Sequence, residues 1–212
     1  MSGEVYNGQA ASHGKAVPVL REELVRRDPV LLARNTGARM KDERCFLVTC
    51  WDRELSVSFP DFTVVDAENG GPVDERTAQL VIHYFYTADG TEGGGKWVSL
   101  AELPDGAFYR QAYQGYSGNH LAMELQNDLK TLQRASVEIG GKPEEFGDLS
   151  YSFTVLPCLS LLLVYWRGDE EFPPSAQVLF SDSASHYLPT DICAALGRQL
   201  VDRLLEARDT LR

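Results

Sequence analysis

The stretch Leu159-Ser160-Leu161-Leu162-Leu163-Val164-Tyr165-Trp166 constrains the fold of this chain more than any other feature. As a strand it puts Leu159, Leu161, Leu163 and Tyr165 on one face and Leu162, Val164 and Trp166 on the other. A strand apolar on both faces has to be covered on both, which places it at the centre of a sheet inside a substantial core. A chain of 212 residues with 43% hydrophobic side chains can build one such core. The run is far too short to cross a bilayer.

The surrounding pattern predicts what packs on that strand. Residues 19–38 read as one or two helices, with Asp28 before Pro29 as an N-cap and Gly37 as a stop. Residues 45–51 and 55–59 form a hairpin signal around the turn at Asp52, and residues 62–65 a short strand. Asp74 caps a mostly buried helix running to about Tyr86. Residues 96–100 read as a short strand, and residues 107–138 as helical with an interruption at Gly115 to Gly118. Strands follow at 152–156 and 177–180, either side of the central one. Thr190 caps a last helix striped by Cys193, Leu196, Leu200, Leu204, Ala207 and Leu211. The elements do not alternate as βαβ units. The expected class is therefore α+β: one domain over residues 19–212, a mostly antiparallel sheet with a central apolar strand flanked by helices, behind a flexible tail at residues 1–18.

Charge and cysteine usage exclude several function classes. The 31 acidic and 20 basic residues leave a formal charge of −11, which repels nucleic-acid phosphates and anionic lipid. The basic residues between Arg21 and Arg44 are interleaved with acids and read as a solvated helical face. The first residues lack the apolar segment of a leader, and Cys45, Cys50, Cys158 and Cys193 fit free thiols in a reducing compartment, so a cytoplasmic location is expected, with no membrane and no nucleic-acid partner. Cys45 and Cys50 are an odd number of residues apart on one strand and face opposite ways, and no C-x-x-C occurs, so no metal site is expected.

Three motifs invite a chemical reading. Gly90-Thr91-Glu92-Gly93-Gly94-Gly95-Lys96 has the spacing of a phosphate-binding loop. Trp97, however, stands where that loop needs a hydroxyl, and a helix precedes it where a strand should. Ser181-Asp182-Ser183-Ala184-Ser185-His186-Tyr187 gathers hydroxyls, a carboxylate and an imidazole, but lacks the G-x-S-x-G elbow of a hydrolase triad. Asp169-Glu170-Glu171 is an acidic turn after the central strand. No catalytic residue can be assigned on these grounds.

Larger blocks carry a family resemblance. Trp166-Arg167-Gly168-Asp169-Glu170-Glu171-Phe172-Pro173, then Val178-Leu179-Phe180-Ser181-Asp182-Ser183, then Tyr187-Leu188-Pro189-Thr190-Asp191 resemble the C-terminal half of a domain-of-unknown-function family of anaerobic bacteria and archaea. Gly95-Lys96-Trp97-Val98-Ser99 resembles its middle, and the similarity spans about residues 20–208. Some members look fused to an iron–sulfur segment of the corrinoid-protein type, which this sequence lacks before Cys45. The resemblance implies a small-molecule or cofactor-binding domain associated with anaerobic one-carbon or corrinoid metabolism. A corrinoid or other tetrapyrrole is the cofactor it suggests, by association only, since Asp182 and His186 do not make a D-x-H-x-x-G signature. The expected ligand-binding residues are Lys96, Trp97, Trp166, Asp169, Asp182, His186 and Tyr187, on three loops that mix aromatic and polar groups. The alternatives are an enzyme with Asp182 and His186 as acid–base groups, and an acidic adaptor that docks an iron–sulfur or methyltransferase protein.

Overall fold

The structure, a computed structural model, describes residues 16–211. The double-faced run is strand β8 (Leu159–Trp166), the middle of a five-stranded antiparallel sheet in the order β5-β9-β8-β7-β6. Its neighbours are β7 (Leu149–Leu156) and β9 (Ser175–Ser181), with β5 (Trp97–Val98) and β6 (Lys142–Pro143) as two-residue edges. Leu161, Leu163 and Tyr165 are fully buried on one face; Leu162 and Val164 are buried on the other. A methyl at Gly147 would stand 2.9 Å from Val164 Cγ1, so the loop before β7 helps to cover that second face.

A second antiparallel sheet holds β1 (Arg39–Asp42), β2 (Cys45–Cys50), β3 (Arg53–Ser58) and β4 (Val64–Asp66) in chain order. The architecture is thus α+β with two antiparallel sheets, where a single sheet was expected. In β2, Phe46, Val48 and Cys50 point inward and Cys45 does not. The odd spacing of the two cysteines separates them as the strand period requires. All four cysteines are unpaired. Burial pushes the Cys50 thiol up to about 12 and raises Cys193 as well, which keeps both protonated.

Helix α3 (Glu75–Thr87), capped by the Asp74 carboxylate on Thr77 N, covers the four-stranded sheet. Its Phe85 meets Phe46 at 5.2 Å and Phe62 at 6.1 Å between ring centroids. Helices α1 (Val17–Leu24) and α2 (Pro29–Thr36) precede the sheet. Asp28 caps α2, and Gly37 ends it at φ +63, the left-handed stop its sequence announces. Helix α1 begins at Val17, with Pro18 in its first turn. The rest of the expected tail, residues 1–15 with His13, lies outside the described residues.

Helices α4 (Arg110–Tyr116), α5 (Gly118–Leu125), α6 (Leu129–Glu138) and α7 (Thr190–Thr210) belong to the five-stranded sheet. Tyr165 donates to Gln126 O, just past α5, and Tyr113 of α4 tilts over Phe180 of β9 at 5.9 Å. Thr190 opens α7 but does not cap it; its hydroxyl donates to Pro104 O. Tyr84 of α3 ties the two halves of the chain. Its hydroxyl donates to Thr36 O and accepts from Cys158 N in the β7–β8 turn. One continuous apolar cluster runs from Leu20 to Ala207.

Candidate functional site

Five of the seven expected ligand-binding residues lie together where β5 meets β9. Trp97 pairs with Ser181, which brings the glycine-rich loop of residues 89–96 against the segment 182–187. Asp182 N donates to Lys96 O at 3.0 Å, and the Asp182 carboxylate accepts from Gly94 N through both oxygens, each at 3.0 Å. Glycine is needed for this close approach, since a methyl at Gly94 would stand 2.7 Å from Asp182 Oδ2. One N–H of the glycine-lysine motif, that of Gly94, is therefore taken by a carboxylate of the same chain. Tyr187 is buried; it stacks on Tyr84 and donates to Thr91 O at 2.7 Å, holding the far side of the loop.

His186 does not pair with Asp182. Its Nδ1 lies 2.8 Å from Asp89 Oδ2, and about half of each side chain is exposed. The hydrogen bond from His186, followed by bonds from Thr91, lowers the Asp89 pKa to about 2 from its ordinary 3.8. A carboxylate depressed in the folded state stabilises it above the unfolded pKa, and that contribution is lost as pH falls from 3.8 through about 2. Both groups are too exposed for the effect on global stability to be large. In a carboxyl NMR titration the Asp89 midpoint is expected near 2, rising toward 3.8 in His186→Ala; an unchanged midpoint would show that His186 is not the cause.

The other two expected residues lie elsewhere. Leu161 is opposite Phe180, while Trp166 is opposite Ser175. Trp166 is therefore five residues further along β8, roughly 17 Å away on the strand rise. Asp169 is occupied there by its own turn, accepting from Glu171 N and Phe172 N at 2.8 Å. The three loops do not form one pocket.

Beside the junction a cleft of about 720 Å³ opens between α4, the short 3-10 turn at Leu100–Glu102 and the outer edge of β9. Its polar lining comes from Ser99, Arg110, Gln111, Gln114, Asn119 and Gln177. Arg110 is the one charged side chain among the lining residues. Two side chains of α4 close the sheet edge: Tyr113 donates to Val178 O at 3.2 Å and Gln114 to Ala176 O at 2.8 Å. With these carbonyls taken, the edge is blunted against a further strand and becomes the floor of a small-molecule-sized recess. A second bond from Gln114 Nε2 to Asn119 Oδ1, at 3.0 Å, fixes the amides at its rim.

Sequence reasoning missed Asp89 and the cleft for different reasons. Asp89 and His186 are 97 residues apart with no motif joining them. The cleft left a faint trace in Arg110, Gln111 and Gln114, a polar run inside a half-buried helical stretch.

Among the described residues, no group of three His, Cys, Asp or Glu side chains could hold a metal ion, and no helix is long and apolar enough to cross a membrane. A family model described as a domain of unknown function, DUF3786, matches residues 28–203. No curated protein matches the chain, and no solved structure does.

Proposed function

We propose that this chain, which belongs to the DUF3786 family of domains of unknown function, is a non-catalytic binding domain for a small polar molecule with an anionic group, held in the cleft beside β9. The observation that carries this reading is the cleft itself: a recess of about 720 Å³ with one guanidinium amid fixed amides and hydroxyls. That volume falls within the usual range for ligand sites. An arginine offers a carboxylate or phosphate two parallel N–H donors, and the amides add directional bonds to neutral polar groups. The lining sets these polar groups beside the apolar Leu100, Ala101, Val178 and Leu179, so it suits a compact ligand with a hydrogen-bonding end and a flat apolar part better than a broad tetrapyrrole ring. The sequence resemblance to a family with one-carbon and corrinoid associations makes tetrahydrofolate the first probe and cobalamin the contrast.

Trp97 lies two residues from Ser99 at the cleft, so its fluorescence can report occupancy. Titration with tetrahydrofolate is expected to give saturable quenching, with affinity at least tenfold weaker in Arg110→Ala, because a charge-assisted bond contributes about 1.5–3 kcal/mol. Cobalamin is expected to give none. Equal affinity in the wild type and Arg110→Ala would remove the cleft as the site. Absence of saturation with tetrahydrofolate and with simple di- and tricarboxylates would remove the reading altogether.

A further inference from the structure

The groups that line the cleft beside β9 do not offer hydrogen bonds evenly. Ala176 O can only accept, so the end of Gln114 that meets it is the amide nitrogen, and the other proton of that nitrogen goes to Asn119 Oδ1. Gln114 has thus spent both protons inside the protein, and Oε1 is what it has left for a ligand. The Ser99 hydroxyl donates to Glu102 Oε2 at 2.8 Å, and the Tyr113 hydroxyl to Val178 O at 3.2 Å. These two groups also meet a ligand as acceptors. Asn119 is the converse: its oxygen is taken by Gln114, which leaves its amide protons. Arg110 donates only.

The two sets differ in burial. Tyr113 is buried and Ser99 and Gln114 are half-buried, whereas Arg110 and Asn119 are exposed. The acceptors are therefore the more deeply set groups and the donors the more open ones. Gln111 and Gln177, both exposed, can turn either end of the amide to a ligand and do not alter this polarity.

We infer that the cleft takes a planar ring with an anionic group at one end and a neutral N–H donor at the other, the N–H end inward. This rests on the cleft being the binding site, as proposed above, and adds the ligand's second functional group and its orientation. An acceptor partly removed from water loses more when it meets no donor than an exposed one does, so the inner groups select for the ligand's N–H. A neutral donor serves them without carrying a charge into the half-buried end. Arg110 and Gln114 are one turn apart on α4, with Cβ atoms about 5–6 Å from each other, so a single ring spans from the anion to the donor. Leu100 and Leu179 supply apolar surface for that ring.

Three benzoates of similar size test this: 4-aminobenzoate, 4-methylbenzoate and 4-nitrobenzoate place a donor, an inert group and acceptors at the same position. Binding is read by NMR from the side-chain amide signals of the isotope-labelled full chain. In the wild type the amine is expected to bind about fivefold tighter than the methyl compound, the worth of one hydrogen bond, and the nitro compound is expected to bind weakest. All three should weaken together in Arg110→Ala. In Gln114→Met the advantage of the amine over the methyl compound is expected to disappear. Ser99→Ala, which leaves the bonds of Gln114 to the sheet in place, should reduce that advantage in part. If the amine and methyl compounds bind equally and both depend on Arg110, the inference falls and the cleft remains the site. Tightest binding by the nitro compound overturns the inference by reversing the polarity. Binding by none of the three overturns it as well, and the tetrahydrofolate and carboxylate titrations then decide separately whether the cleft is a site at all.

Discussion

A Gly118→Ala variant is expected to unfold about 6–12 °C below the wild type, while Gly115→Ala, three residues earlier, is expected to unfold at or slightly above it. The added methyl at Gly118 would stand 1.9 Å from Ala176 O and 2.7 Å from Gln114 Nε2. That carbonyl belongs to β9 and already accepts from Gln114, so it cannot turn aside. Relief requires α5 to move off the sheet, at the upper end of the overpacking range, about 3 kcal/mol. For a domain of this size each kcal/mol shifts the melting temperature by about 2–4 °C. Gly115 lies inside α4 with nothing within 4 Å of its would-be methyl. There alanine removes only the entropic cost of a helical glycine, about 0.5–1 kcal/mol. Thermal denaturation followed by circular dichroism reads both, and equal shifts in the two variants would contradict the close approach of α5 to β9.

Phe180→Ala should cost about 3–5 kcal/mol in a urea titration, a large fraction of the stability of an ordinary domain. Phe180 is fully buried, opposite Leu161 of β8 and Val98 of β5, with Tyr113 tilted over it. Its removal leaves a cavity beside Tyr113, and the Tyr113 hydroxyl is what closes the Val178 carbonyl at the cleft floor. The variant is therefore expected to lose affinity for any cleft ligand as well as stability. Arg110→Ala, on the exposed rim, should lose affinity alone. A Phe180→Ala protein of undiminished stability would mean that the ring is not part of the core.

The elements that could be read from the sequence are those whose determinants are local. Strand β8 states its position through apolar residues on both faces, and α2 states both ends through Asp28, Pro29 and Gly37. Strand β1 was illegible because all four of its residues are exposed. It is held by backbone pairing to β2, which leaves no alternation of side chains. Strand β7 reaches back to Leu149, beyond the expected start, where Tyr151 and Phe153 already alternate inward. Whether the strands join in one sheet or two depends on contacts between distant segments, and no local period encodes that. The junction of loops was half legible for the same reason. Asp182, His186 and Tyr187 stood out as a polar cluster, but their partners Gly94, Asp89 and Thr91 lie 88 to 97 residues away.

The grip of Gly94 on Asp182 bears on the glycine-lysine spacing that first suggested a phosphate. A tethered carboxylate competes with dissolved anions as an intramolecular ligand, and short tethers give effective concentrations in the millimolar range or above. The β5–β9 pairing of Trp97 with Ser181 makes this tether about as short as one can be. Phosphate arriving at the loop would have to displace a carboxylate that cannot diffuse away, next to the exposed Glu92. The Gly94 N–H is thus already occupied by a carboxylate of its own chain, and that bond helps to fasten β5 and the cleft rim that follows it to the body of the sheet.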